Sequence, residues 1–342
     1  MNTTERFHRV MEFKEVDRLP VMEWADWWGK TLSRWCMEGL PYSMDDLEKI
    51  RGDQVILYEH LGQIRDDLGL DSQRWLIIGP CSDPKGRGKI EDIKSYLKVR
   101  EHLYNIRINE NYAKLWYKKH KIGDTVILLQ LSGFFWFLRG KLGFDQLMYA
   151  FYDKPDLLHQ INKDLCEFNI NALKEFFKID IPDLIIISED MSYNNGPMIS
   201  KECFDEFLAP YYKKLVPFIK ENGIIPFVDS DGDVHKLIPW LKEVGIEGIL
   251  PLERQSGVDI IKIRQNHPNF RMIGGFDKMV MKDGEEAMRR EFERILPVMK
   301  QGGYIPSCDH QTPPAVSLEY YRVYVSLLKE YCVNLDYSPQ RH

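Results

Sequence analysis

Short apolar runs alternate along this chain with longer stretches in which apolar residues recur every three or four positions. The short runs predict buried strands, and the longer pattern predicts amphipathic helices. The predicted strands are Leu19–Glu23, Arg74–Ile78, Thr125–Leu131, Leu184–Ser188, Ile224–Val228, Glu247–Leu250, Phe270–Ile273 and Tyr304–Ser307.

Capping residues give bounds for three of the helices between these strands. Ser200 is a suitable N-cap for a helix over Lys201–Ile219, and Asp283 or Gly284 precedes a helix that runs to Lys300. Ser317 is the expected N-cap of a last helix that ends near Val333.

Eight strands, mostly separated by helices, predict an α/β protein of the (β/α)8 TIM-barrel class. A doubly wound sheet is the alternative, but no Gly-rich phosphate-binding turn follows an early strand. We therefore expect one barrel domain over residues 1–342, with residues from about 34 to 123 forming an N-terminal helical insertion or cap.

Composition restricts the class of partner. The chain has 342 residues, a net charge of -6 and no long basic run, which disfavours a nucleic-acid partner. No apolar stretch reaches the roughly 18 residues of a membrane span, and no signal peptide is evident, so we expect a cytoplasmic protein. Six scattered cysteines without a CxxC motif are typical of a reducing compartment.

Acidic and aromatic residues follow most of the predicted strands. Pro226–Asp233 is the clearest case, because an apolar run stops abruptly at Asp229, Asp231 and Asp233. An ordinary solvated turn explains this segment alone equally well. The carboxyl ends of barrel strands, however, form the active-site face, where crowded carboxylates require a balancing cation.

Candidate roles divide between catalysis and substrate binding. The predicted catalytic residues are Asp229, His310, Glu189 and Asp190. The predicted substrate-binding residues are Trp24, Trp27, Trp28, Trp136, Arg139, Glu253 and Lys278. Trp24, Trp27 and Trp28 could wall a cationic substrate, although core packing explains each of them equally well.

His310 lies next to Asp309 at the end of the last predicted strand. Asp229, Asp231 and His310 together could bind a divalent ion, because two oxygen ligands and one nitrogen leave an open position for catalysis. Without a metal, His310 paired with Asp309 or Asp229 would act as an acid or base near neutral pH. Cys308 could join this site, although a buried inert thiol is the simpler interpretation.

Several motifs resemble one enzyme superfamily over essentially the whole chain. They are Val16–Val21, Gly133–Arg139, Glu189–Met191, Pro210–Lys214, Pro251–Glu253, Gly274–Lys278, Gly302–Tyr304, and Asp309-His310 followed by Pro313-Pro314. Their order and spacing resemble the uroporphyrinogen decarboxylase superfamily, whose fold is a (β/α)8 barrel.

The resemblance implies one of two activities. The decarboxylases of the superfamily hold a tetrapyrrole polycarboxylate with an Arg-rich segment after the first strand, whereas Met22–Lys30 here contains no arginine. The corrinoid-dependent methyltransferases hold zinc with a His-x-Cys motif and a later Cys. Asp229, Asp231 and His310 occupy those three positions, which replaces soft thiolates with a harder ligand set.

The sequence therefore favours a corrinoid-dependent methyltransferase of the demethylase type. We expect it to move a methyl group from a small O- or N-methylated substrate to a corrinoid protein, with zinc as the expected divalent metal. Two alternatives stay open, a decarboxylase or lyase acting on a carboxylic acid and a non-catalytic ligand-binding barrel. The resemblance also implies a possible homodimer.

Overall fold

The computed structural model describes residues 1–43, 45, 54–81, 90–108 and 110–339. The helices are α1 (Thr3–Met11), α2 (Gly29–Met37), α3 (Gln54–Asp67), α4 (Ile93–Leu103), α5 (Glu110–Lys121), α6 (Phe134–Leu142), α7 (Phe144–Asp153), α8 (Pro155–Phe176), α9 (Lys201–Phe207), α10 (Ala209–Glu221), α11 (Leu237–Glu243), α12 (Ile260–Asn266), α13 (Glu285–Met299) and α14 (Leu318–Val333). Short 3-10 helices span Arg254–Ser256 and Lys278–Asp283.

The strands are β1 (Gln73–Ile78), β2 (Val126–Ser132), β3 (Leu184–Ser188), β4 (Ser192–Tyr193), β5 (Gly196–Pro197), β6 (Ile225–Asp229), β7 (Gly248–Leu250), β8 (Arg271–Phe276) and β9 (Tyr304–Cys308). Seven of the described strands form one sheet in the order β1-β2-β3-β6-β7-β8-β9, and β4 and β5 form a small hairpin. The β2–β3, β3–β6, β7–β8 and β8–β9 pairs are parallel. The predicted α/β class is thus confirmed, with a parallel sheet that is TIM-barrel-like.

The chain divides into two compact units. The terminal unit comprises Met1–Trp75, Lys118–Ile127 and Gly248–His342, and the central unit comprises Leu76–Tyr117 and Leu128–Glu247. The single domain over 1–342 stays a prediction. The predicted insertion over 34–123 falls partly outside the described residues, and its described part includes α3, α4, α5 and β1.

The first predicted strand, Leu19–Glu23, is wrong, because this segment forms no strand. Its backbone groups are paired outside a strand ladder: Val21 N–H donates to the Asp71 carboxylate over 2.9 Å, and Val21 C=O accepts from Asp71 N–H over 2.8 Å. Pro20 has no N–H to donate. Pairing with both the side chain and the backbone of Asp71 therefore replaces the ladder that the apolar pattern predicted.

The core of the central unit follows from its sequence pattern. All five residues of β3 are buried, as expected for a strand of a parallel sheet with both faces covered. The long helix α8 begins with Pro155, whose missing N–H costs nothing in the first turn. Its buried face, which includes Leu158, Ile161 and Leu165, recurs with helical spacing.

No helix in the described ranges combines the length and the apolar character needed to cross a membrane.

Candidate functional site

Polar residues occupy one face of the central unit's sheet at the carboxyl ends of three strands. Ser132 of β2 pairs in register with Ser188 of β3, which pairs in turn with Asp229 of β6. Gln130 lies two residues before Ser132, hence on the same face, and donates from Nε2 to Ser188 Oγ over 2.5 Å. Deeper on this face the positions are apolar, as at Leu128 and its register partner Leu184. The polar end is where ligands bind in α/β folds.

Glu189 follows β3 and is fully buried. Its carboxylate accepts hydrogen bonds from the backbone N–H groups of Phe134, Phe135 and Trp136 over 2.8, 2.7 and 3.1 Å. The Tyr212 hydroxyl is a fourth donor. Burial raises the pKa of Glu189 to about 7, although these hydrogen bonds oppose the shift. Glu189 thereby caps the amino end of α6 from another part of the chain.

This cap requires a glycine at the start of α6. A Cβ atom at Gly133 would lie 2.3 Å from the Ser188 carbonyl oxygen and 2.4 Å from Glu189 Cδ. Gly133 N–H also donates to Ser188 C=O over 2.9 Å. The Gly133–Arg139 motif therefore has a packing explanation, which is close approach of α6 to the end of β3.

Asp190 forms an ion pair with Arg139. The guanidinium donates from Nη2 to Asp190 Oδ2 over 2.5 Å and from Nη1 to the Asp190 carbonyl over 3.0 Å. It also lies over the Trp136 ring at 4.5 Å from the ring centre. The Trp136 side chain is 43% exposed. Three predicted site residues, Trp136, Arg139 and Asp190, thus form one cluster at the carboxyl end of β3.

Asp229 and Asp231 lie at and just beyond the end of β6. The Asp229 carbonyl accepts from the N–H groups of Glu189 and Asp190 over 2.9 and 3.0 Å, and both aspartates are half-buried. His310 belongs to the terminal unit and is also half-buried. Among the described residues, no three His, Cys, Asp or Glu side chains are arranged to hold a metal ion. The three-ligand zinc site stays a prediction, and we derive no chemical step from it.

The structure adds a pair that sequence reasoning missed, Asp233 and His235. His235 donates from its backbone N–H to Asp233 Oδ1 over 3.0 Å, and its Nδ1 lies 2.6 Å from the same oxygen. The pair lies in the loop between β6 and α11. An Asp two residues before a His was the available signal, since a short side chain at that spacing can bond the backbone N–H two residues on.

In the terminal unit, Lys278 is surrounded by acceptors. Its Nζ donates to Asp309 Oδ1 over 3.3 Å and to Gln255 Oε1 over 2.6 Å, and it lies 3.5 Å from Glu253 Oε1. Asp309 is fully buried and also accepts from the N–H groups of Arg254 and Lys278. Burial raises the pKa of Asp309 to about 6. Glu253 and Lys278, both predicted substrate-binding residues, are therefore in one charged cluster.

Glu23 and Cys308 lie in a buried polar cluster of the terminal unit. The Glu23 carboxylate accepts from Cys308 N–H over 3.2 Å, from the Tyr324 hydroxyl over 2.9 Å and from the Ser307 hydroxyl. Burial raises the pKa of the Cys308 thiol well above its ordinary value, which favours the interpretation of an inert thiol.

The three tryptophans after Glu23 differ in environment. Trp27 is only 4% exposed and packs against Trp35 and Tyr321 at ring distances of 5.6 and 5.8 Å. Core packing therefore accounts for the Trp27 ring, although its indole Nε1 is buried with no hydrogen-bond partner among the described residues. Trp28 is 49% exposed, and Trp24 is half-buried with Nε1 donating to the Cys308 carbonyl over 2.6 Å. Substrate contact by these residues stays a prediction.

The family follows from comparison with known proteins. The model of the uroporphyrinogen decarboxylase (URO-D) family matches residues 42–331, which is most of the chain. The chain belongs to the uroporphyrinogen decarboxylase family. The superfamily resemblance read from the motifs is thereby confirmed.

Individual relatives of this family member are distant. Two curated uroporphyrinogen decarboxylases, from Prochlorococcus marinus strains NATL1A and NATL2A, are each 24% identical over 231 residues. The match covers 65% of this chain and 59% of the relatives' length. A solved methyltransferase from Methanosarcina mazei has a TM-score of 0.66 at 15% identity and covers 97% of this chain and 99% of its own. At that identity the likeness shows a shared fold.

Proposed function

We propose that this protein is an enzyme that transfers a methyl group from a small O- or N-methylated compound to a corrinoid protein. The observation that carries the proposal is the polar face at the strand ends of the central unit, which ends in Asp229 with Ser188, Ser132 and Gln130 beside it. A fold shared with a methyltransferase supports it.

The charge at these strand ends favours a neutral or cationic substrate. Arg139, whose guanidinium lies at the end of β3, is paired with Asp190 at 2.5 Å. Asp229, Asp231 and Asp233 add three carboxylates within five residues of the chain. A polycarboxylate such as a tetrapyrrole would meet charge of its own sign here, which disfavours its binding.

The reaction needs a proton at the leaving atom. The bond between the methyl carbon and the oxygen or nitrogen breaks, the electron pair stays on that atom, and a proton must neutralise it. A reduced corrinoid on the partner protein would supply the nucleophile that receives the methyl group. We assign proton transfer to Asp229 or Asp231, which would relay a proton from solvent to the leaving atom, with Gln130 and Ser188 orienting the polar part of the substrate.

Decarboxylation of a carboxylic acid is the second candidate. The family description and the curated relatives named uroporphyrinogen decarboxylase favour it. This candidate requires neither a corrinoid nor a methylated substrate. The two candidates therefore differ in co-reactant and product.

The deciding experiment incubates the purified protein with reduced cobalamin and a panel of methyl ethers and methylamines. We expect a change in the visible spectrum of the corrinoid with some of these compounds, and a loss of about 100-fold or more in Asp229→Asn, as is typical for removal of a general acid. Asp145→Asn is the matched control, because Asp145 is an exposed carboxylate on α7, away from the strand ends.

Release of carbon dioxide from a panel of carboxylic acids, without any corrinoid dependence, would overturn methyl transfer in favour of decarboxylation. Ligand binding without turnover in either assay would favour the non-catalytic barrel. Zinc is tested separately, by elemental analysis of protein purified without chelator. A divalent ion lost in both Asp229→Ala and His310→Ala would support the predicted ligands, and a metal-free native protein would overturn them.

A further inference from the structure

Several buried side-chain atoms of the central unit have no hydrogen-bond partner among the described residues, and two of them, Nε2 of His235 and Oγ of Ser192, lie just beyond the ends of neighbouring strands. The Ser192 residue is only 2% exposed. Buried polar atoms are almost always paired in native proteins, so an orphan atom points to a missing ligand or water. Ser192 lies on β4, and His235 lies in the loop between β6 and α11.

The loops that carry these atoms are in direct contact. Asp233 N–H donates to the Tyr193 carbonyl over 2.9 Å, and Met191 N–H donates to Ser230 Oγ over 3.1 Å. Gly232 has φ of 82°, and a Cβ there would lie 2.6 Å from the Ser192 carbonyl carbon and oxygen. Close backbone approach at Gly232 therefore holds the β4 strand against the loop between β6 and α11.

Asp233 determines which hydrogen-bonding role His235 can take. Its Oδ1 lies 2.6 Å from His235 Nδ1, and an ionised carboxylate only accepts hydrogen bonds. Nδ1 of His235 therefore carries the hydrogen. In the neutral imidazole this leaves a lone pair on Nε2, which can accept a hydrogen bond from an O–H or N–H group.

Both loops follow strands of the parallel sheet. Ser192 comes four residues after the end of β3, and His235 comes six residues after the end of β6. They therefore lie beyond the carboxyl ends of two adjacent strands, where α/β proteins bind their ligands.

We propose that His235 Nε2 and Ser192 Oγ bind a hydroxyl or amino group of the methyl donor. The inference deepens the proposed function, on which it rests, by naming a second polar group on the substrate besides the methylated atom. His235 is a specificity residue in this proposal, and Asp233 is the positioning residue that fixes its ring.

The test compares pairs of methylated compounds that differ only in such a group, for example 2-methoxyphenol with methoxybenzene and N-methylethanolamine with N-methylethylamine. Binding is measured by calorimetry on the full chain without a corrinoid. We expect the native protein to bind the hydroxylated member of at least one pair about five- to tenfold more tightly, the usual effect of one hydrogen bond.

His235→Asn keeps a donor for Asp233 but lacks Nε2, and Ser192→Ala removes only the hydroxyl. Each variant should bind the hydroxylated compound more weakly and the compound without the hydroxyl about as well as the native protein does. The ratio of the two dissociation constants should therefore approach one. His159→Asn is the matched control, because Nδ1 of His159 already has a partner in the Tyr211 hydroxyl at 3.0 Å. It should keep the preference of the native protein.

An unchanged preference in both variants would overturn the proposal and assign the two atoms to bound water. No preference in the native protein for any pair would overturn it equally. Because binding is measured without a methyl acceptor, a failure of methyl transfer would not alter these results, and the two proposals fail separately.

Discussion

At the scale of single residues, Glu189 shows how a buried carboxylate is retained. Four donors meet its two oxygens, three of them N–H groups at the amino end of α6 and the fourth the Tyr212 hydroxyl. A carboxylate suits this position because it accepts at both oxygens and complements the positive end of the helix dipole. The motif around Glu189 therefore has a structural role, whatever its part in catalysis.

Glu189→Gln should lower the free energy of unfolding by about 1–3 kcal/mol, because the amide NH₂ faces backbone donors and leaves them unpaired. Tyr212→Phe should cost less, about 1 kcal/mol, because it removes one hydrogen bond and keeps the ring packed against Phe134 at 5.0 Å. Urea denaturation of the two variants beside the native protein measures both values. A Glu189→Gln variant as stable as the native protein would contradict the capping role.

At the scale of secondary-structure elements, the contact between α6 and the end of β3 depends on one glycine. Gly133 and Gly140 both belong to the Gly133–Leu142 segment, but they differ in surroundings. A Cβ at Gly133 would overlap the Ser188 carbonyl and Glu189, whereas a Cβ at Gly140 would meet nothing within 4 Å. The chain thus provides a matched pair for testing the contact.

We expect Gly133→Ala to destabilise the protein by about 1–3 kcal/mol, because the helix must shift away from β3. Gly140→Ala lies in an exposed helix interior and should stabilise the protein by up to about 1 kcal/mol, since alanine is the better helix former. Thermal or urea unfolding of both variants checks the opposite signs. Equal changes in stability for Gly133→Ala and Gly140→Ala would show that α6 has room for a methyl group beside the end of β3.

Local capping chemistry was predictable at this scale. Ser200 and Ser317 do accept hydrogen bonds from the N–H groups three residues on, at Cys203 and Tyr320. The predicted helix over Lys201–Ile219 is wrong in its continuity, because it divides into α9 and α10 at Leu208. Pro210 fits the break, since it lies in the first turn of α10, where its missing N–H has no intrahelical partner to lose.

At the scale of the whole molecule, the burial of the six cysteines determines which thiols can react. The buried cysteines are Cys166, Cys308 and Cys332, and the half-buried ones are Cys36, Cys81 and Cys203. Burial raises the pKa of Cys166 to about 11 and raises that of Cys308 and Cys332 as well. All six cysteines are free, as the absence of a disulfide framework in the sequence predicted.

A thiol reagent at neutral pH should therefore modify three cysteines of the native protein well before the other three, because only the accessible thiolate reacts. In denaturant all six should react in one phase. Cys166→Ser is a suitable control and should remove one slow thiol without altering the rapid phase. A rapid reaction of Cys308 would contradict its assignment as inert and return it to the list of candidate site residues.

The sequence by itself determined the local features of the fold, such as where the buried strands lie. Apolar runs placed β3 over Leu184–Ser188 and most other strands within a few residues, because a buried parallel strand needs uninterrupted apolar side chains. The order of motifs indicated the family, and the position of the site at the acidic strand ends stays a prediction.

Only the tertiary structure decided which distant groups pair. The sequence of Leu19–Glu23 does not show that the Val21 N–H donates to the distant Asp71 side chain and not to a neighbouring strand. The donors around Glu189 come from residues more than twenty positions away, and the orphan atoms of Ser192 and His235 are defined by what surrounds them. The physical reason is that burial and hydrogen-bond pairing depend on which segments pack together, and the pattern along a single segment does not contain that information.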